Sequence, residues 1–203
     1  MLCNSGGFQQ NSIDALKQAI ENSDINAVEL YLKTDPTCCN QLLDDTTKET
    51  ALHYAMRLEK RGKIVEALLN CPNIDVTIAD SDGWLPLHWA IKKEDVSCFQ
   101  SVLKKEPDTA NSKTADGRTA LHLAVTFGNK AILAALLSSE TTNRNLVNHL
   151  HETAAEQAMR EGDVGMIALF GEKPKTFWQD TITTSPSTHH RIQTSTTYQG
   201  LDQ

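Results

Sequence analysis

The chain has 203 residues, 39% of them hydrophobic, and carries a formal net charge of −7 with a pI near 5.5. A phosphate backbone repels such a chain, which argues against nucleic acid as the primary partner. No run of 18 or more apolar residues provides a membrane span.

From the N-terminus, residues 1–11 are polar, without a basic stretch leading into an apolar core, so they read as a polar segment and not as a secretory signal. The region 12–171 is built from copies of one unit. An alanine recurs at Ala19, Ala55, Ala90, Ala124 and Ala158, at intervals of 36, 35, 34 and 34 residues. Such a period marks a stacked-repeat architecture. In each copy a short apolar helix carries the alanine, and a polar turn follows it: Ser23-Asp24, Glu94-Asp95, Gly128-Asn129 and Gly162-Asp163, with the longer Glu59-Lys60-Arg61-Gly62 in the second copy. A second amphipathic helix comes next, as in Ile64, Val65, Leu68 and Leu69, or Ile132, Leu133, Leu136 and Leu137. Between copies, β-branched residues lead to Asp82-Gly83 and Asp116-Gly117, which predict extended arms with a turn at the tip. The last stretch, 172–203, is rich in Ser and Thr and predicts a disordered tail. Phe177 and Trp178 at its start either fold back over the last helix or stand exposed, and Ser185-Pro186 is a weak phosphosite signal.

Five cysteines (Cys3, Cys38, Cys39, Cys71 and Cys98) form no C-x-x-C pair and are odd in number, so they read as reduced thiols, with Cys98 a small core hydrophobe. His149 and His151 sit in a turn and His189 and His190 in the tail, and neither pair has a second pair of ligands at zinc spacing. Phosphate-binding, nucleophile-elbow and zincin motifs are absent from the sequence. The expectation is therefore no enzyme, no metal and no cofactor.

Thr119-Ala120-Leu121-His122 after Asp116-Gly117, Thr50-Ala51-Leu52-His53 with Lys48 for the glycine, and Leu85-Pro86-Leu87-His88 without the threonine resemble the ankyrin-repeat opening D-x-x-G-x-T-x-L-H-x-A. The resemblance runs from about Ile13 to Phe170, and the outer copies depart from it, with Lys17 and Glu156 at the histidine position, as capping repeats do. It implies an all-α solenoid of about five helix-turn-helix repeats joined by extended hairpin arms. It also implies structural roles for His53, His88 and His122, and a non-catalytic module that binds a protein partner through its concave face.

Carried over by register, the implied contact positions are the arm tips and the ends of the first helices. At the tips these are Thr46, Thr47 and Glu49, then Ser81, Asp82 and Trp84, then Ala115, Asp116 and Arg118; at the helix ends they are Arg57 and Leu58, Lys92 and Lys93, and Thr126 and Phe127. Trp84, Leu58 and Phe127 are large apolar residues at outward positions, and Arg57, Lys92, Lys93 and Arg118 surround them. Such a patch suits a partner of hydrophobic and acidic character. The alternative is that Trp84 packs on its own arm and Phe127 on a neighbouring helix. Tyr54 and Trp89 match inward positions and are expected in the core. The expected state is a cytoplasmic monomer, with a nuclear or host-cell location open. A second reading, a bacterial effector using its repeats on a host protein, rests on the Ser/Thr-rich tail with Leu201 near its end.

Overall fold

The computed structural model describes residues 5–58 and 62–171, with side chains from Ile13 onward. The helices in these residues fall into five successive pairs. They are α1 (Ser5–Glu21) with α2 (Ile25–Thr34), α3 (Ala51–Arg57) with α4 (Gly62–Leu69), α5 (Pro86–Lys92) with α6 (Val96–Lys105), α7 (Ala120–Thr126) with α8 (Lys130–Ser138), and α9 (Ala154–Glu161) with α10 (Val164–Leu169). First helices pack in a row, α1 on α3, α3 on α5, α5 on α7 and α7 on α9, and second helices form a parallel row behind them. Short 3₁₀ turns at Pro36–Asn40 and Pro107–Asn111 lead out of two of the pairs.

Each of the four polar turns that lie wholly within the described residues is a two-residue device. Its first residue takes a left-handed conformation, with φ of 59° at Ser23, 56° at Glu94, 70° at Gly128 and 75° at Gly162. The second residue then caps the next helix: Asp24, Asp95, Asn129 and Asp163 accept from the backbone N–H groups of Ala27, Cys98, Ile132 and Met166 at 2.9–3.1 Å. A short carboxylate or amide at that position meets an N–H that the helix itself leaves unpaired.

The expected extended hairpins are reduced to tight tips. Among the described residues there is no strand, only isolated bridges Leu42–Thr50 and Val147–Thr153. Each tip is closed by backbone bonds such as Asp80 N–H to the Trp84 carbonyl and Thr114 N–H to the Arg118 carbonyl. Neighbouring tips are joined by Ser81 N–H to Thr47 and Ala115 N–H to Asp82. Glycine is required where tips nest. Gly83 has φ +73°, and a Cβ there would lie 2.7 Å from the Ala115 nitrogen; Gly117 has φ +76° and abuts the His149 ring. Lys48 (φ 52°) and His151 (φ 59°) adopt the same conformation without glycine in the outer arms.

The core runs through all five pairs. Leu16, Ile20, Leu52, Leu68, Leu87, Ile91, Phe99, Leu121 and Leu136 are fully or almost fully buried. A hairpin this short cannot offset its own ordering cost, and the shared interface between neighbours makes up the difference.

Recurrent histidines bridge two of the joints. His53 Nδ1 accepts from Thr50 N–H (3.3 Å) and lies 2.8 Å from its hydroxyl, while Nε2 reaches the Trp84 carbonyl at 3.1 Å. His122 repeats this with Thr119 and the Glu152 carbonyl at 2.9 Å. An Nδ1 that accepts leaves the proton on Nε2, so each ring donates across the repeat boundary. His88 accepts from Leu85 N–H at 3.1 Å, but its Nε2 finds no acceptor in hydrogen-bonding geometry. In the last pair Glu156 takes the histidine's place and accepts from Thr153 N–H at 2.8 Å, which keeps the cap and drops the bridge to a further repeat.

The first helix starts at Ser5, so much of the segment read as a polar N-terminal region through Asn11 is helical. The tail, Phe177, Trp178 and Ser185-Pro186 lie outside the described residues.

Candidate functional site

The arms and the first helices share one face. Its geometry follows a spacing of eight residues: the residue just after each left-handed tip position is in register with a residue in the last turn of the helix it precedes, and in three of the four repeats the two meet. In the second repeat Glu49 meets Arg57, with Nε–Oε1 at 2.8 Å and Nη2–Oε2 at 3.2 Å. In the fifth, Glu152 meets Arg160 at 2.9 Å. In the third repeat the same two positions hold Trp84 and Lys92, whose ammonium lies 5.1 Å from the Trp84 ring centroid and 4.5 Å from that of Trp89. In the fourth they hold Arg118 and Thr126. The flanking repeats thus close with carboxylate–guanidinium pairs, and the middle two do not.

At the centre, Trp84 is half-buried, edge-on to His88 at 6.2 Å and to Phe127 at 6.4 Å, and tilted against Trp89 at 5.6 Å. Both sequence alternatives for Trp84 and Phe127 hold in part. The rings pack on their neighbours and still show a face to solvent, as does Leu58. Tyr54 is in the core as expected, 9% exposed, with its hydroxyl donating to Glu21 and with Lys17 and Arg57 over its ring. Trp89 is not fully in the core. Its indole N–H donates to Asp80 Oδ2 at 2.9 Å, and that bond holds the large ring at the edge of the core, where Lys92 covers it.

Of the expected tip contacts, Ser81, Asp82 and Asp116 are exposed and Arg118 is half-buried. Glu49 is a correction: it is 6% exposed, because Arg57 lies over its carboxylate, and it acts as a positioning residue for Arg57. Lys92, Lys93 and Thr126 are exposed. Arg118 binds Asp116 Oδ2 through Nη2 at 2.5 Å, yet its Nε has no acceptor. Burial raises the Asp116 carboxyl while the Arg118 and Thr114 hydrogen bonds lower it; the hydrogen bonds win, which keeps it ionised.

The fourth arm also belongs to this face, although only three arms were read as contact positions. Leu150 stands at the register of Asp82 and Asp116 and is 68% exposed. A cleft of about 470 Å³ opens there between Arg118, Thr126, His149, Gln157 and Arg160. Gln157 is 3% exposed and donates to Thr126 (2.8 Å) and Glu161 (2.9 Å), leaving its carbonyl oxygen without a donor. The repeat register alone would have found Leu150 and Arg160. On the opposite face an open groove of about 830 Å³ between α4 and α6 has no aromatic residue in its lining. Among the described residues no cluster of His, Cys, Asp and Glu could hold a metal ion, and no helix is long and apolar enough to cross a membrane.

Residues 16–111 match the family model for ankyrin repeats in three copies, and residues 116–149 match that for a single ankyrin repeat. Among curated proteins, the chain is 37% identical over 89 residues to the human SMC5-SMC6 complex localization factor protein 1, covering 44% of this chain and 8% of that protein. It is 34% identical over 104 residues to human inversin, covering 49% of the chain and 10% of inversin. With the mouse neurogenic locus notch homolog protein 1 it shares 32% identity over 120 residues, 59% of the chain and 5% of the relative. The match is thus to a small part of much longer proteins. Repeat register, capping pattern and family match agree: the chain belongs to the ankyrin-repeat family.

Proposed function

We propose that this chain is a non-catalytic docking module that holds a protein partner against the face made by its arm tips and first helices, the concave side of an ankyrin stack. One observation carries this reading: Trp84, Trp89 and Phe127 form a half-buried aromatic cluster on that face, with an exposed lysine over it. Aromatic residues that keep a solvent face beside cations are the usual energetic anchors of interfaces. The names of the relatives support a module that works by association, since one is described as a localization factor of a complex. The effector reading draws no support from these relatives, which are mammalian. A reducing location, cytoplasmic or nuclear, fits the four described cysteines, which are free and buried.

Affinity capture with the full chain tests this, using Trp84→Ala as the site variant and Lys104→Glu, on the second-helix row, as the control. The reading predicts a protein that is captured by wild type and by Lys104→Glu and lost with Trp84→Ala. Capture that survives Trp84→Ala and fails with Lys104→Glu would place the site on the other face.

A further inference from the structure

The four arm–helix pairs show what kind of partner segment the face is made for. In the second and fifth repeats the cation meets a carboxylate of this chain, Glu49 for Arg57 and Glu152 for Arg160. In the third, Trp84 replaces that carboxylate, and Lys92 is left with two aromatic faces; among the described residues no carboxylate lies within ion-pairing distance of its ammonium. In the fourth, Arg118 itself occupies the carboxylate's register, opposite Thr126. Asp116 takes one edge of its guanidinium, its buried Nε has no acceptor, and Arg118 lines the 470 Å³ cleft. The third repeat therefore lacks the anion that the flanking repeats supply internally, and the fourth supplies one, Asp116, to a single edge of its cation. Between the two cations, the Trp84–Phe127 contact spans the repeat boundary and offers an apolar floor.

We infer that the occupant of this face is an extended acidic segment of a partner protein, with one carboxylate on Lys92, a second on Arg118, and an apolar side chain between them over Trp84 and Phe127. This rests on the docking reading above and specifies its partner. Packed helices lie about 8–10 Å apart; Lys92 stands at the end of α5 and Arg118 at the register opposite the end of α7, so their side chains are placed about one helix spacing apart. In a polyproline-II segment, residues i and i+3 share a face and are about 9 Å apart, whereas in a β-strand they point to opposite sides. The matching motif is acidic-x-x-acidic, with an aliphatic or aromatic residue at one of the x positions. The carboxylates give register and exclude basic partners, and the apolar contact supplies most of the affinity.

A random dodecapeptide library displayed on phage, selected on the immobilised full chain at low ionic strength, tests this without knowledge of the natural partner. Wild type and Lys104→Glu should both enrich acidic residues three apart flanking an apolar one. Selection on Lys92→Glu should replace one of the two acids by Lys or Arg, and selection on Arg118→Glu should replace the other. A peptide selected on wild type should bind each charge-reversed variant about tenfold more weakly, provided the variant keeps the wild-type circular dichroism spectrum. Enrichment that depends on Trp84 but lacks the paired acids, or ignores both reversals, overturns the acidic segment and leaves the docking face standing. Absence of any Trp84-dependent enrichment contradicts both.

Discussion

The imidazole of His53 donates from Nε2 to the carbonyl of Trp84, 3.1 Å away in the next repeat. One bond thus joins a buried histidine, 0% exposed, to the backbone of the central aromatic residue of the docking face. The face is held by the same groups that hold the stack together, so conditions that disturb the histidines disturb both.

Acidification is such a condition. Burial lowers the pKa values of His53, His88 and His122, that of His88 to about 4. In the unfolded chain a histidine titrates near about 6.5. Between those values the unfolded chain holds more protons than the folded one, so stability is full above about pH 6.5 and falls as pH drops. His88 alone accounts for a loss on the order of 3 kcal/mol by about pH 4. Urea midpoints should hold level from about pH 7.5 to about pH 6.5 and then fall towards about pH 4.5, and His88→Leu should make that slope shallower. Midpoints that hold level or rise on acidification below about pH 6.5 would contradict this assignment.

Core truncation should be costly at any repeat. Leu121 is 1% exposed and Leu136 0%. Replacing either by Ala should cost about 2–5 kcal/mol, a large share of a total on the order of 5–15 kcal/mol. Thermal unfolding followed by circular dichroism checks this, with a midpoint several degrees lower as the expected result.

Much of this architecture is readable in the sequence, because a repeat shows its core and turns several times over. The alanine register, the left-handed turn followed by Asp or Asn, and the His-mediated cap all appear there in phase. Trp89 is less legible, because it shares its position with Tyr54 and Leu123, which are buried. What moves Trp89 outward is the indole N–H, which needs an acceptor and finds Asp80 from the preceding arm. Glu49 is misread for a related reason. It shares the register of Trp84, and only the spacing of eight residues to Arg57 shows that its carboxylate is already taken. Lys48 and His151 hide the arm tips they form, since neither residue type advertises a positive φ.

Three glycines separate strain from clash. Gly128, Gly117 and Gly83 all have φ near +70°, where a side chain costs about 1–2 kcal/mol. At Gly128 an added Cβ meets nothing within 4 Å, at Gly117 it meets the movable His149 ring, and at Gly83 it meets the Ala115 backbone. Chemical denaturation of the three Gly→Ala variants should rank them in that order, Gly128 mildest and Gly83 worst. Equal losses would mean that the arms do not nest as described.

The thiols should be silent in the folded protein. Burial pushes the Cys38 thiol up to about 11 and those of Cys39 and Cys98 to about 12. Cys71 is 4% exposed, with its sulfur 3.4 Å from that of Cys39. Since the thiolate is the reactive form, iodoacetamide at about pH 8 should leave these four unmodified until urea unfolds the chain, as read by peptide mass spectrometry. Rapid native labelling at Cys39 or Cys71 would contradict the close joint between the first and second repeats.

Hydrogen–deuterium exchange of the chain alone and with its captured protein partner addresses the docking face most directly. Slowed exchange should be confined to the arm tips around 80–84, 114–118 and 148–152 and to the ends of α3, α5 and α7. Protection along α4, α6 and α8 instead, with the tips unchanged, would contradict the account.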